Sequence, residues 1–115
     1  MSNPIKGRPE QVVPLLTITI ENVVSADLVG EFCIGRTVDL DASSTKHGCN
    51  SILSLYETES PVDVVEVEDR LIEAFIHHPK CSNSDGDIKA ATSEKFMNYV
   101  YVAIWYSEKK NEHAA

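Results

Sequence analysis

Residues 60–83 read SPVDVVEVEDRLIEAFIHHPKCSN, and this stretch organises the rest of the chain. Ser60 is a good N-cap and Pro61 suits the first helical turn. Asp63, three residues after the cap, completes a capping box and places its charge at the positive end of the helix dipole. A helix therefore starts here, and Pro79 ends it near His77 or His78. Successive residues lie roughly 100° apart around a helix. Val64, Val65, Val67, Leu71, Ile72, Ala74, Phe75 and Ile76 then share the core side, and Glu66, Asp69, Arg70 and Glu73 the other. Glu68 projects within the core side. A bare carboxylate buried there costs several kcal/mol, so Glu68 must be paired, neutralised or bound to a metal. Such a group is either a buried structural acid or a functional one.

The alternating apolar pattern extends outward in both directions. Residues 52–58, with SILSLYET around them, read as a strand leading into the helix, and residues 98–106, NYVYVAIWY, give the clearest strand signal in the chain. Residues 15–24, LLTITIENVV, alternate apolar and polar side chains with many β-branched residues, which predicts a strand. After the break at Ser25-Ala26-Asp27, residues 28–38 resume the pattern, so the two runs are expected to form an antiparallel hairpin. Residues 39–50, DLDASSTKHGCN, carry capping residues and a terminating Gly48 and can hold a short helix. Residues 83–87 are a loop, and Thr92-Ser93-Glu94 can begin a helical turn. The expected fold is α/β (α+β), a small mixed sheet of three to four strands beginning with the hairpin and covered by helices. Residues 1–14, with three prolines, read as a flexible tail, 15–106 as one domain and 107–115 as a charged tail.

Composition narrows the function classes. A chain of 115 residues with 43% apolar side chains has room for one modest core. No run approaches the roughly 18 apolar residues of a membrane span, and the amino end lacks a hydrophobic signal region, so no membrane partner and an intracellular, cytoplasmic or nuclear location are expected. Three cysteines, Cys33, Cys49 and Cys81, suit a reducing compartment better than a disulfide framework. A net charge of −8 opposes diffuse attraction to phosphate backbones, so a nucleic-acid partner requires a local basic patch or a metal.

The expected order of strand, strand, short helix, strand and helix with an inward glutamate resembles the GIY-YIG nuclease domain. Cys33-Ile34-Gly35 stands where the family has its YIG triplet, and residues 36–40 resemble the segment that follows. His47 falls twelve residues past Gly35, where many members carry a histidine. Tyr56-Glu57-Thr58-Glu59 precedes the helix, and Asn83, fifteen residues after Glu68, resembles the asparagine that closes the motif. Residues 99–103 resemble the last strand of some members. The YIG tyrosine is Cys33, the expected arginine is Ser43, and the earlier GIY triplet has no clear counterpart.

The resemblance implies a metal-dependent endonuclease acting on DNA or RNA, with Glu68 holding one Mg2+ or Mn2+ ion and Asn83 and Gly35 shaping the site. Phosphodiester hydrolysis also requires charge stabilisation and proton handling. Arg36 and Lys46 can supply positive charge, and His47 and Tyr56 can handle protons. Each also has a structural reading, as a strand-end arginine, a loop lysine, a surface or capping histidine and a core tyrosine.

Two alternatives follow from the same residues. One is a non-catalytic binding module of the same architecture, acting through a homodimer or a larger protein partner, with Tyr99, Tyr101 and Trp105 as core or as an aromatic face. The other is a zinc-stabilised binding domain built from His47, Cys49, His77, His78 and Cys81. A cysteine nucleophile paired with His47 is a further option in principle.

Overall fold

The protein, described from a computed structural model, is defined at residues 4–84 and 90–107, and at 44–47 for the backbone alone. The elements run α1 (Pro9–Val24), β1 (Val29–Thr37), α2 (Leu40–His47), β2 (Ser51–Thr58), α3 (Pro61–Phe75) and β3 (Asn98–Tyr106). The result is an α+β domain with a three-stranded antiparallel sheet. The last strand in sequence lies in the middle of the order β1-β3-β2.

The start of α3 follows its local chemistry. Ser60 is extended, and its hydroxyl accepts a hydrogen bond from the amide of Asp63. The helix ends at Phe75, ahead of Pro79, with the His78 amide bonded to the Phe75 carbonyl. Val64, Val67, Glu68, Leu71 and Phe75 are its buried residues. Val65, Ile72 and Ile76 are half-buried, while Ala74 faces out.

Residues 15–24 correct the sequence expectation, because they are helical and no opening hairpin forms. In a strand, alternation would bury Leu16, Ile18 and Ile20 on one side. A helix can bury every fourth residue alone, and the buried positions are Val12, Leu16, Ile20 and Val24, joined by Pro9 in the first turn, with Ile18 57% exposed. Leu16 and Ile20 satisfy both periods. So do Val12 and Val24, and the exposed Ile18 decides between the periods, since a strand would bury it with the others. Thr17 and Thr19 donate their hydroxyls to the carbonyls four residues earlier, Val13 and Leu15, as threonines commonly do inside helices. Pro9 occupies the first helical turn, while Pro14 sits inside the helix on its exposed side.

The stretch expected to be a tail is integrated at residues 4–14. Ile5 pairs with Tyr56, its amide bonding the Leu55 carbonyl and its carbonyl accepting from the Glu57 amide. These bonds cover part of the outer edge of β2.

The partner of β1 is β3, in register from Phe32 opposite Ile104 to Thr37 opposite Tyr99. Val100, Val102 and Ile104 of β3 join Phe32, Ile34, Leu55 and Tyr56 in a core completed by α1 and α3. Phe32 meets Phe75 edge-on at 5.9 Å between ring centroids. The short helix expected between residues 39 and 50 is α2, and Gly48 just after it takes φ +62, the left-handed conformation that stops helices. At residues 92–94 the expected helical turn is replaced by a turn in which the Ser93 hydroxyl accepts from the amides of Lys95 and Phe96. No helix among the described residues is long and apolar enough to cross a membrane.

The helical assignment of residues 9–24 has a direct test. In dilute protein, Ile20→Ala should cost about 2–5 kcal/mol of unfolding free energy. Ile18→Ala should stay within about 0.5 kcal/mol. Equal losses in denaturant titrations would restore the strand reading.

Candidate functional site

Glu68 lies in the middle of α3, turned inward and 3% exposed. Opposite it, the end of β1 delivers Arg36, whose side chain lies on the same sheet face as those of Phe32 and Ile34 because strand residues alternate. The Arg36 Nη1 donates to Glu68 Oε1 at 2.6 Å, with side-chain exposures of 11% and 4%. Its Nε donates to the Ala90 carbonyl at 3.0 Å. The guanidinium thus neutralises the carboxylate and ties β1 to both α3 and the segment entering β3.

Gly35 neighbours this pair in sequence and faces the other side of the sheet. Tyr101, its register partner on β3, lays its ring across that position. A Cβ on residue 35 would come within 2.5 Å of the Tyr101 hydroxyl oxygen and 2.6 Å of Cζ, so any side chain there would displace the ring. A glycine inside a strand signals such a close approach. Tyr101 itself was visible in the sequence only as one aromatic of the last strand.

Burial pushes the Tyr101 phenol up to about 12 by stripping its hydration. The neighbouring Cys33, Glu68 and Cys49 reinforce this shift, and a hydrogen bond with Ser43 opposes it. Ser43, where the resemblance expected an arginine, thus lies by a tyrosine on the α2 side of the sheet.

Asn83 does not reach toward the ion pair. Its Oδ1 accepts from the Ile34 amide at 2.8 Å and its Nδ2 donates to the Ile34 carbonyl at 2.9 Å, so the carboxamide takes the place of a neighbouring strand residue. Just before it, the Phe32 amide donates to the Lys80 carbonyl and the Ser82 amide to the Phe32 carbonyl. Residues 80–83 therefore cover the outer edge of β1. The Lys80 ammonium reaches the Val24 and Ala26 carbonyls at 2.7 and 3.0 Å, a cation at the negative end of α1.

Tyr56 is fully buried in the core, and its hydroxyl donates to the Gly7 carbonyl at 2.7 Å. Loss of hydration raises its phenol, helped by the charges of Asp63 and Glu66 and opposed by a hydrogen bond with Thr58. Lys46 and His47 belong to α2, and their side chains lie outside the described residues. The structure therefore joins Glu68 with Arg36 and sets Gly35 and Asn83 along the same strand. Tyr56 serves the core.

The donor set at this corner does not fit a divalent cation. One carboxylate is present, a guanidinium already occupies its Oε1, and a metal there would face that positive charge directly. Among the described residues, no three of His, Cys, Asp and Glu converge in a way that could hold a metal ion. Nor do the expected zinc donors among them gather: the His78 Nδ1 accepts from the Lys80 amide at 3.0 Å, and the Cys81 thiol faces Asn83 Oδ1 at 3.4 Å.

The chain matches no family model, no curated protein and no solved structure. The observed order of helix and strand in alternation also departs, at its first element, from the order that suggested the nuclease resemblance.

Two measurements probe this corner. Glu68→Gln leaves the Arg36 guanidinium buried without its counter-charge and should cost about 3–5 kcal/mol in denaturant unfolding. The double replacement Glu68→Leu with Arg36→Met should recover most of that loss. For Tyr101, the native state keeps its proton while the unfolded chain loses it near the ordinary phenol value of 10.0. The stability from this group is complete below that pH and is lost as pH rises toward about 12. Tyr101→Phe should flatten this alkaline decline.

Proposed function

We propose that this domain is a non-catalytic binding module acting through protein contacts. The observation that carries this reading is the Arg36–Glu68 pair. The single acid that sequence reasoning assigned to chemistry is neutralised at 2.6 Å and withdrawn from solvent. A carboxylate in that state holds parts of the fold together and has no free charge to offer a metal or a substrate.

Asn83 supports the same reading, since its amide is committed to the backbone of β1. So does the surface. Leu15, Ile18, Val62 and Phe96 are each more than half exposed, which is a large apolar display for a small domain. With a net charge of −8, a protein partner fits this surface better than a phosphate backbone does.

A second reading, a divalent-metal-dependent endonuclease on DNA or RNA, is favoured by one observation: the inward Glu68 lies against Arg36 at the end of β1, next in sequence to Gly35. It also requires Arg36 to leave the carboxylate.

Purified protein with magnesium or manganese, plasmid, branched DNA and structured RNA separates the two. We expect no cleavage that differs between the wild type and the folded Glu68→Leu, Arg36→Met double variant. We also expect no metal-induced rise in thermal midpoint specific to the wild type, since a metal held at Glu68 would stabilise by mass action. Cleavage confined to the wild type would replace the binding module with the nuclease.

A further inference from the structure

The turn that leaves α3 is organised around one imidazole. His78 Nδ1 accepts a hydrogen bond from the Lys80 amide at 3.0 Å. A backbone amide can only donate, so this ring nitrogen carries no proton and the imidazole is neutral. The same residue fixes the turn at both ends. Its own amide donates to the Phe75 carbonyl at 2.8 Å, and its carbonyl accepts from the Cys81 amide at 3.0 Å. Lys80, which the imidazole positions, then makes the contacts that reach beyond the turn. Its carbonyl holds the Phe32 amide at the edge of β1, and its ammonium holds the carbonyls of Val24 and Ala26 at the end of α1.

We propose that His78 is a pH-sensitive clasp: the neutral imidazole holds residues 80–83 on β1, and protonation releases them. An imidazolium carries an N–H on both ring nitrogens. Its Nδ1 proton would point at the proton of the Lys80 amide, two donors 3.0 Å apart. The bond is then lost and replaced by a repulsion, and Lys80 has to move. Its carbonyl moves with it, away from the Phe32 amide. The sheet edge and the end of α1 thus share a single point of release.

The surroundings give the imidazolium no compensation. From β1 and α3 the groups that face the half-buried ring are the uncharged rings of Phe32 and Phe75, at 5.3 and 6.2 Å between centroids. An aromatic face attracts a cation, yet neither ring can take the Lys80 amide as its partner. Glu31, next to Phe32, lies on the opposite face of the sheet beside Trp105. Glu73, two residues before Phe75, is exposed on the far side of α3. From the turn itself come the Lys80 ammonium, which adds a like charge, the exposed His77, and the Cys81 thiol, which faces Asn83 Oδ1. Among the described residues no carboxylate pairs with His78 or with Lys80.

Amide proton exchange followed by NMR on the full chain tests the proposal, with each rate divided by the intrinsic rate at the same pH. Between about pH 8 and about pH 5, where histidines change charge, the Phe32 amide of the wild type should lose about tenfold in protection. The Val102 amide of the central strand should keep its protection, which separates release of the turn from unfolding. Two variants isolate the cause. His78→Asn offers a side-chain oxygen to the amide two residues on and does not titrate, so its Phe32 protection should stay constant over the same range. His78→Phe fills the place without an acceptor and should leave Phe32 poorly protected at every pH. Wild-type protection that does not change with pH would overturn the proposal. So would an Asn variant that still loses protection in acid, or a Phe variant as well protected as the wild type at neutral pH.

Discussion

The Arg36–Glu68 pair constrains this domain more tightly than any single apolar contact. Arg36 is the penultimate residue of β1 and Glu68 sits two turns into α3, so their bond fixes where the helix lies along the strand. The second guanidinium bond, to Ala90, adds the approach to the central strand. Apolar packing of Phe32 against Phe75 tolerates small sliding, whereas a buried ion pair tolerates none, because a slip of a few ångströms leaves two bare charges in the core. The pair is thus better understood as specifying one arrangement than as a large source of stability.

From that constraint the treatment of the sheet follows. With β3 in the middle, both β1 and β2 are edge strands, a position that invites unwanted pairing. Each edge is covered by a short piece of its own chain: Ile5 lies along β2, and residues 80–83 lie along β1. Lys80 contributes twice, since its carbonyl binds β1 and its ammonium closes the end of α1. The turn after α3 therefore joins the sheet edge to the first helix.

The parts legible in the sequence were those governed by local rules. Ser60, Pro61 and Asp63 announced α3, Gly48 announced the end of α2, and alternation announced β2 and β3. Glu68 was recognisable as an acid that needed a partner, because its neighbours on the helix were apolar. Which cation would answer it was not legible, since Arg36 is thirty-two residues away and only the fold unites them. The strand expected at residues 15–24 came from a spacing that strand and helix share. Leu16, Ile20 and Val24 lie on one face of either element, Ile18 extends the alternation, and the β-branched side chains favour the strand. Asn83 was singled out for its spacing, and the structure gives it a role of another kind, as a substitute for a peptide unit.

That substitution leaves the cover over Ile34, at the end of the strap, resting on one side-chain amide. Spontaneous deamidation of Asn83 would exchange its N–H donor for a carboxylate oxygen facing the Ile34 carbonyl, turning an attraction into a repulsion. The end of the strap would then be pushed from Ile34, while the bonds of Lys80 and Ser82 to Phe32 hold the rest.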